Sequence, residues 1–220
     1  VTEHPIELVI SKSFETRVKR TDRVINVAEA FGIGLDDKQF VVFDNLPVTI
    51  TPGDMVYVTG QSGSGKSVLL REISAELELH GLKVANIDTV AYHNEKPIID
   101  QLGANMTEAT TLLAMAGISD AYLFIRTPTE LSDGQRYRFR LAKLLEQNAD
   151  VWVADEFGAV LDRTTAKVVA YNLQKVARRA GKTVMVATTH TDLVDELAPD
   201  LVVRKRFHER VSLERPNEQE

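Results

Sequence analysis

One run of residues constrains this chain more than any other: Gly60-Gln61-Ser62-Gly63-Ser64-Gly65-Lys66-Ser67, which fits the phosphate-loop pattern G-x-x-x-x-G-K-[ST]. It is flanked as such a loop requires. MVYVTG reads as a buried strand running into it, and SVLLREISAELEL reads as a helix with Leu69, Ile73 and Leu77 on one stripe. Each residue type has a physical reason. Glycines let backbone N–H groups curl around an anion where a Cβ would obstruct them. The helix that follows adds the positive end of its dipole, so its first turn, as far as Val68, stands beside that anion. Lys66 can reach the β- and γ-phosphates of a nucleoside triphosphate, and the Ser67 hydroxyl can ligate Mg2+.

A second constellation suits the first. Val151-Trp152-Val153-Ala154 is an apolar strand ending in Asp155-Glu156. Such a strand delivers Asp155 to the sheet edge beside the loop, where it can hold the water shell of Mg2+. Glu156 points elsewhere and suits a base or polariser for an attacking water.

Strands and helices alternate along the rest of the chain. IELVIS, QFVVFDN, PVTI, KVANID, TVMVATTH and DLVVRK read as strands. RVINVAEAFG reads as a short helix stopped by Gly32, the stretch from about Gln101 to Pro128 as mostly helical, and TTAKVVAYNLQKVARRAG as a helix capped by Gly181. DGQRYRFRLAKLLEQ reads as a helix capped by Ser132, with Tyr137, Leu141 and Leu144 on one stripe. The pattern predicts an α/β fold with a mostly parallel sheet covered on both faces.

Composition narrows the setting. There are no cysteines, which excludes disulfides and thiolate metal sites and points to the cytoplasm. No apolar run approaches the roughly 18 residues that span a bilayer, and VTEHPIEL lacks the layout of a signal peptide. The chain opens on Val1 rather than Met, so further residues are expected beyond it. A net charge of −6 disfavours a whole-surface nucleic-acid binder. Local basic stretches remain as candidates: Lys12, Arg17, Lys19, Arg20 and Arg23; Arg136, Arg138, Arg140 and Lys143; and Arg204, Lys205, Arg206 and Arg210.

LSDGQRYRFRLAKLL, just ahead of the Asp155-Glu156 strand, resembles the LSGGQ signature of the ATP-binding cassette (ABC) ATPases. Other landmarks follow in that family's order. Gln101 resembles the Q-loop glutamine, Gly158-Ala159-Val160-Leu161-Asp162 the D-loop, and His190 the switch histidine. The resemblance covers about Val41 to Lys205. It implies a single P-loop domain over residues 1–220: an N-terminal extension and antiparallel β subdomain at 1–40, an ATPase core at 41–100 and 148–206, and a short helical subdomain at 101–147.

The resemblance also implies roles. ATP is the substrate and Mg2+ the cofactor, with Ser67, Gln101 and Asp155 on the metal side and Lys66, Gln101, Glu156 and His190 as catalytic residues. ATP would be sandwiched in a head-to-tail homodimer, Ser132, Asp133, Gly134 and Gln135 of one chain facing the γ-phosphate held by the other. Phe40, or alternatively Phe31, is the candidate to stack on adenine. Three positions depart from the family pattern: Asp133 for a glycine, Phe157 for a proline and Ala159 for a serine. The helical stretch between Gln101 and Ser132 is also short for a transporter ATPase. That favours a soluble machine, acting on nucleic acid or an attached domain, over the energy subunit of a membrane transporter; a nucleotide-binding module without turnover is a third reading.

Overall fold

The computed structural model describes residues 4–206 and 209–216, and it divides into two compact units: Val9–Val48, and Val1–Leu8 with Thr49–Glu220. Through the smaller unit run β1 (Ile6–Thr16), α1 (Asp22–Phe31) and β2 (Lys38–Ile50). Thr21 caps α1 by accepting from the Val24 N–H, and Gly32 closes it in the left-handed conformation at φ 61°. β1 and β2 pair as a two-stranded antiparallel sheet, in which the Asn45 N–H donates to the Ser11 hydroxyl at 3.0 Å. The sequence reads residues 39–50 as two strands, but β2 runs unbroken through Pro47. Each strand of a two-stranded ribbon has one unpaired edge, where a missing N–H costs nothing.

The larger unit is built on a six-stranded sheet in the order β4-β5-β6-β3-β7-β8. Its strands are β3 (Met55–Thr59), β4 (Val84–Asn86), β5 (Val151–Ala154), β6 (Thr183–Thr188), β7 (Leu201–Arg204) and β8 (Ser212–Glu214). All neighbours are parallel except β7 and β8. Every residue of β3, β5 and β6 is buried, as expected of a parallel sheet covered on both faces. The main helices are α2 (Lys66–Leu79), α3 (Met106–Met115), α4 (Ala121–Phe124), α5 (Asp133–Glu146), α6 (Arg163–Ala180) and α7 (Val194–Leu197). Leu69, Ile73 and Leu77 of α2 and Tyr137, Leu141 and Leu144 of α5 are buried as their spacing predicts.

Register positions the site. Val186 of β6 pairs with Tyr57 of β3 on one side and Ala154 of β5 on the other. The strand carrying the acidic pair is therefore not the neighbour of the phosphate-loop strand, and β5 ends at the level of Tyr57, two residues before β3 ends at Thr59. β4 is shorter than the sequence suggests. After Asn86 the Ile87 N–H still donates to the Val153 carbonyl, but the Asn86 side chain then accepts from the Asp88 N–H and turns the chain. The region from Gln101 to Pro128 holds only α3 and α4 as helices, broken at Gly117 with φ 82°.

The basic face of α5 turns inward. The Arg136 guanidinium donates to the Pro128 and Leu131 carbonyls, and Arg138 donates to those of Gly117 and Gly134. Arg140 donates to the Ile87 carbonyl, and Lys143 to that of Gln101. These cations close the open carbonyls of neighbouring turns, a structural use that leaves little of this stretch for an external polyanion.

Phe157, just after the acidic pair, is fully buried and packs edge-on against Tyr137, with ring centroids 6.3 Å apart. Phe157→Ala is expected to cost about 3–5 kcal/mol, readable as a lowered urea midpoint in equilibrium unfolding; a loss under about 1 kcal/mol would contradict this packing.

Candidate functional site

The phosphate loop leaves β3 at Gly60, where packing dictates the residue. A Cβ built there would lie 1.8 Å from the Lys205 carbonyl oxygen, and the backbone sits at φ 150°. Gly63 and Gly65 also take positive φ, at 73° and 100°. Gly65 is the N-cap of α2 and supplies no side-chain hydrogen bond, so the N–H groups of the first turn remain for an anion. The Ser64 hydroxyl is buried within the loop with no hydrogen-bond partner among the described residues. Lys66 is buried, and its ammonium donates to the Gly60 and Gln61 carbonyls at 2.8 and 2.7 Å. Gln61, Ser62 and Ser67 are exposed on the loop, and Val68 is half-buried in the first turn. An orphaned buried hydroxyl, an uncapped helix start and, at Gly60, a glycine with no space for a side chain together fit a bound phosphate chain.

The acidic pair stands at the end of β5. Burial pulls the Lys66 ammonium below the usual lysine range, and the charges of Asp155 and Glu156 oppose that pull, so the three form one electrostatic cluster. The Glu156 N–H donates to Asp155 Oδ1 at 2.8 Å, and Glu156 adopts φ 47° with its side chain exposed. At the next position the Phe157 N–H donates to the Ala187 carbonyl at 2.8 Å. A proline could not make that bond, which explains one departure from the family pattern.

His190 follows β6. Its N–H donates to the Thr188 hydroxyl at 3.1 Å, and its carbonyl accepts from the Tyr57 hydroxyl, which tethers the segment to β3. Burial raises the Tyr57 phenol above its ordinary range, so it remains a donor.

Ser132 caps α5 within a reciprocal box: its Oγ accepts from the Gln135 N–H, and its own N–H donates to Gln135 Oε1. Capping uses an oxygen lone pair and leaves the exposed hydroxyl proton free to donate outward. Gly134 is pressed by the 158–162 loop; an added Cβ would meet the Val160 carbonyl at 3.1 Å. Asp133, 83% exposed, pairs with Arg136 at 3.2 Å, which offsets its charge at the helix start. Asp162 caps α6, and hydrogen bonds from the Thr165 hydroxyl and N–H hold its carboxyl below the usual range.

Gln101 is engaged elsewhere. Its Oε1 accepts from the His93 N–H, and its Nε2 donates to the His93 and Lys96 carbonyls. Both ends of the amide thus close the 93–101 loop. Phe40 and Phe31 belong to the Val9–Val48 unit, 52% and 76% exposed. Sequence reasoning passed over Asp88, and it read Tyr137 only as part of a buried stripe and Arg140 only as part of a basic stretch; all three line a pocket of about 230 Å3 together with Asp133, Arg136, Asp155 and Glu156. No motif marks Asp88; only the pairing of β4 with β5 brings it there.

Comparison with known proteins gives the family. A family model described as NTPase matches residues 55–218. The aliphatic sulfonates import ATP-binding protein SsuB 2 of Rhodococcus jostii is 32% identical, over 79% of this chain and 75% of its own length. The methionine import ATP-binding protein MetN of Corynebacterium diphtheriae is 29% identical over 76% of this chain, which spans only 58% of that relative. Among solved structures, a dimeric ATP-binding cassette in a post-hydrolysis state with ADP and Pi superposes with a TM-score of 0.67 at 18% identity, over 96% of this chain and 98% of its own. Fold and loop define a nucleoside triphosphatase of the P-loop class. The chain belongs, within that class, to the ATP-binding cassette ATPases: it binds ATP and hydrolyses it.

Gly60→Ala is expected to abolish ATP binding, because the Cβ has nowhere to go against backbone. Isothermal titration on folded protein checks this, and wild-type affinity would exclude so tight a turn at the mouth of the loop.

Proposed function

We propose that ATP is bound and split in a head-to-tail dimer with Mg2+, and that the cycle energises a membrane transporter. The observation that carries the dimer is that this chain holds two phosphate-facing devices: the uncapped start of α2 behind the phosphate loop, and the exposed start of α5 with the Ser132 proton free to donate. A second copy, turned head to tail, would present the second device to the first. Resemblance to solved cassettes described as dimers supports this.

Ser67 and Asp155 would hold Mg2+ together with nucleotide oxygens, an all-oxygen set that suits a hard cation. Among the described residues no three His, Asp or Glu side chains gather to hold a metal unaided, consistent with an ion that arrives with the nucleotide. Bound there, Mg2+ would neutralise charge on the β- and γ-phosphates. Lys66 would leave its two loop carbonyls for phosphate oxygens, Glu156 would orient the attacking water, and His190 would hold the γ-phosphate. Ser132 and the Gly134 N–H of the second copy would close the site, with Asp133 and Gln135 shaping that helix start.

The transporter role is favoured by the relatives, whose names are mostly those of import ATP-binding proteins. The soluble reading rests on the short stretch between Gln101 and Ser132 and, for a nucleic-acid target, on the basic stretch of α5, whose cations are bonded within the chain. Among the described residues no helix is long and apolar enough to cross a membrane, so the spanning part would belong to another chain or segment.

Glu156→Gln is expected to trap an ATP-dependent dimer; light scattering with MgATP that still reports monomer would remove the sandwich. His190→Ala should lower kcat by about 100-fold or more with ATP affinity retained. For the partner, the tagged chain should co-purify from solubilised membranes with a multi-span protein that stimulates its ATPase. Stimulation by DNA or RNA instead, lost at raised salt, would restore the soluble reading.

A further inference from the structure

The end of β4 carries a charged pair with no part in the catalytic roles of Lys66, Glu156 and His190. Arg140 of α5 donates to the Asp88 carboxylate at 2.6 Å and to the Ile87 carbonyl at 2.8 and 3.1 Å. The arginine is mostly buried, at 25% exposed, whereas the Asp88 side chain is 58% exposed and lines the pocket shared with Asp155 and Glu156. The ladder pairs Asn86 with Val153 and extends through the Ile87 N–H to the Val153 carbonyl, so Asp88 leaves β4 level with the acidic end of β5. Asp155 and Glu156 in turn form one cluster with Lys66 of the phosphate loop. The Gln101 amide, the residue expected on the metal side, is spent on the backbone of 93–96.

A half-exposed carboxylate here has two possible cationic partners: a resident guanidinium, and the divalent ion that comes with the nucleotide. Mg2+ keeps several waters, and carboxylates beyond its direct ligands hold it through them. We propose that Asp88 is a positioning residue for the Mg2+-nucleotide, acting through that water shell, and that Arg140 competes with the metal for its carboxylate. Because Arg140 sits on the helix that begins at Ser132, metal binding that draws Asp88 away loosens a tie on α5. The proposal rests on the reading of Ser67 and Asp155 as the metal side.

The test is Mg2+ titration of fluorescent-ATP binding to the full chain. Asp88→Asn should raise the half-saturating Mg2+ concentration by about tenfold or more, with nucleotide affinity in EDTA unchanged. Arg140→Gln should shift it the opposite way, to lower Mg2+, and the double variant should follow Asp88→Asn. A merely structural pair would move both singles in one direction, and that result, or an Asp88→Asn titration identical to wild type, overturns the proposal. If melting shows that Arg140→Gln does not fold, Asp88→Asn alone decides. Wild-type binding that ignores Mg2+ would instead overturn the metal reading itself.

Discussion

The site depends on one close approach. The parallel pairing of β3 and β7 continues one step past both strands, the Lys205 N–H donating to the Thr59 carbonyl at 2.9 Å, and this brings the Lys205 carbonyl against Gly60. With no room for a side chain, the backbone must turn at that point. The turn leads through Gly63 and Gly65 into α2 with its first N–H groups uncapped and the Ser64 hydroxyl orphaned. An isolated glycine-rich peptide would pay heavily in conformational entropy to hold such a shape. Here the sheet imposes it before any phosphate arrives.

A second constraint ties the rest of the site to that loop. α5 carries the helix start expected to face a second nucleotide, and its own side chains are fastened to several neighbours: Arg138 to Gly117, Arg140 to Ile87 and Asp88, Lys143 to Gln101. The Tyr137 hydroxyl also accepts from the Gly158 N–H at 3.4 Å, just beyond Glu156. Burial raises the Tyr137 phenol far above its usual range, so it stays neutral within the core. One helix is thus bonded to the end of β4, to the loop after the acidic pair and to the turn after α3. A shift in α5 would be felt at all three.

Much of the site is legible in the sequence because local chemistry demands particular residue types in a fixed order. The phosphate loop, the apolar strand ending in Asp155-Glu156 and the serine-capped helix all identify themselves in sequence. Phe157 reads there as an unexplained replacement, and its N–H bond to Ala187 supplies the reason only once β6 lies beside β5. The Gln101 amide reads as available because nothing in KPIIDQLG reveals a loop that folds back on it. The cations of α5 read as a surface for polyanions because charge in a sequence carries no sign of which carbonyls lie opposite.

By itself, the sequence determined that the chain would build an α/β sheet around a phosphate cradle, because glycines, a lysine and a hydroxyl at that spacing answer to backbone sterics and to one ligand's charge. The periodicities of α2 and α5 likewise declared their buried faces. Strand order was a tertiary matter: β6 lies between β3 and β5, and β8, a short polar segment without alternation, exists as a strand only through β7. The company kept by Asp88 and Arg140 was decided in the same way. Contacts between residues distant along the chain are settled by which strands pair and how helices pack over them, and no local pattern encodes that choice.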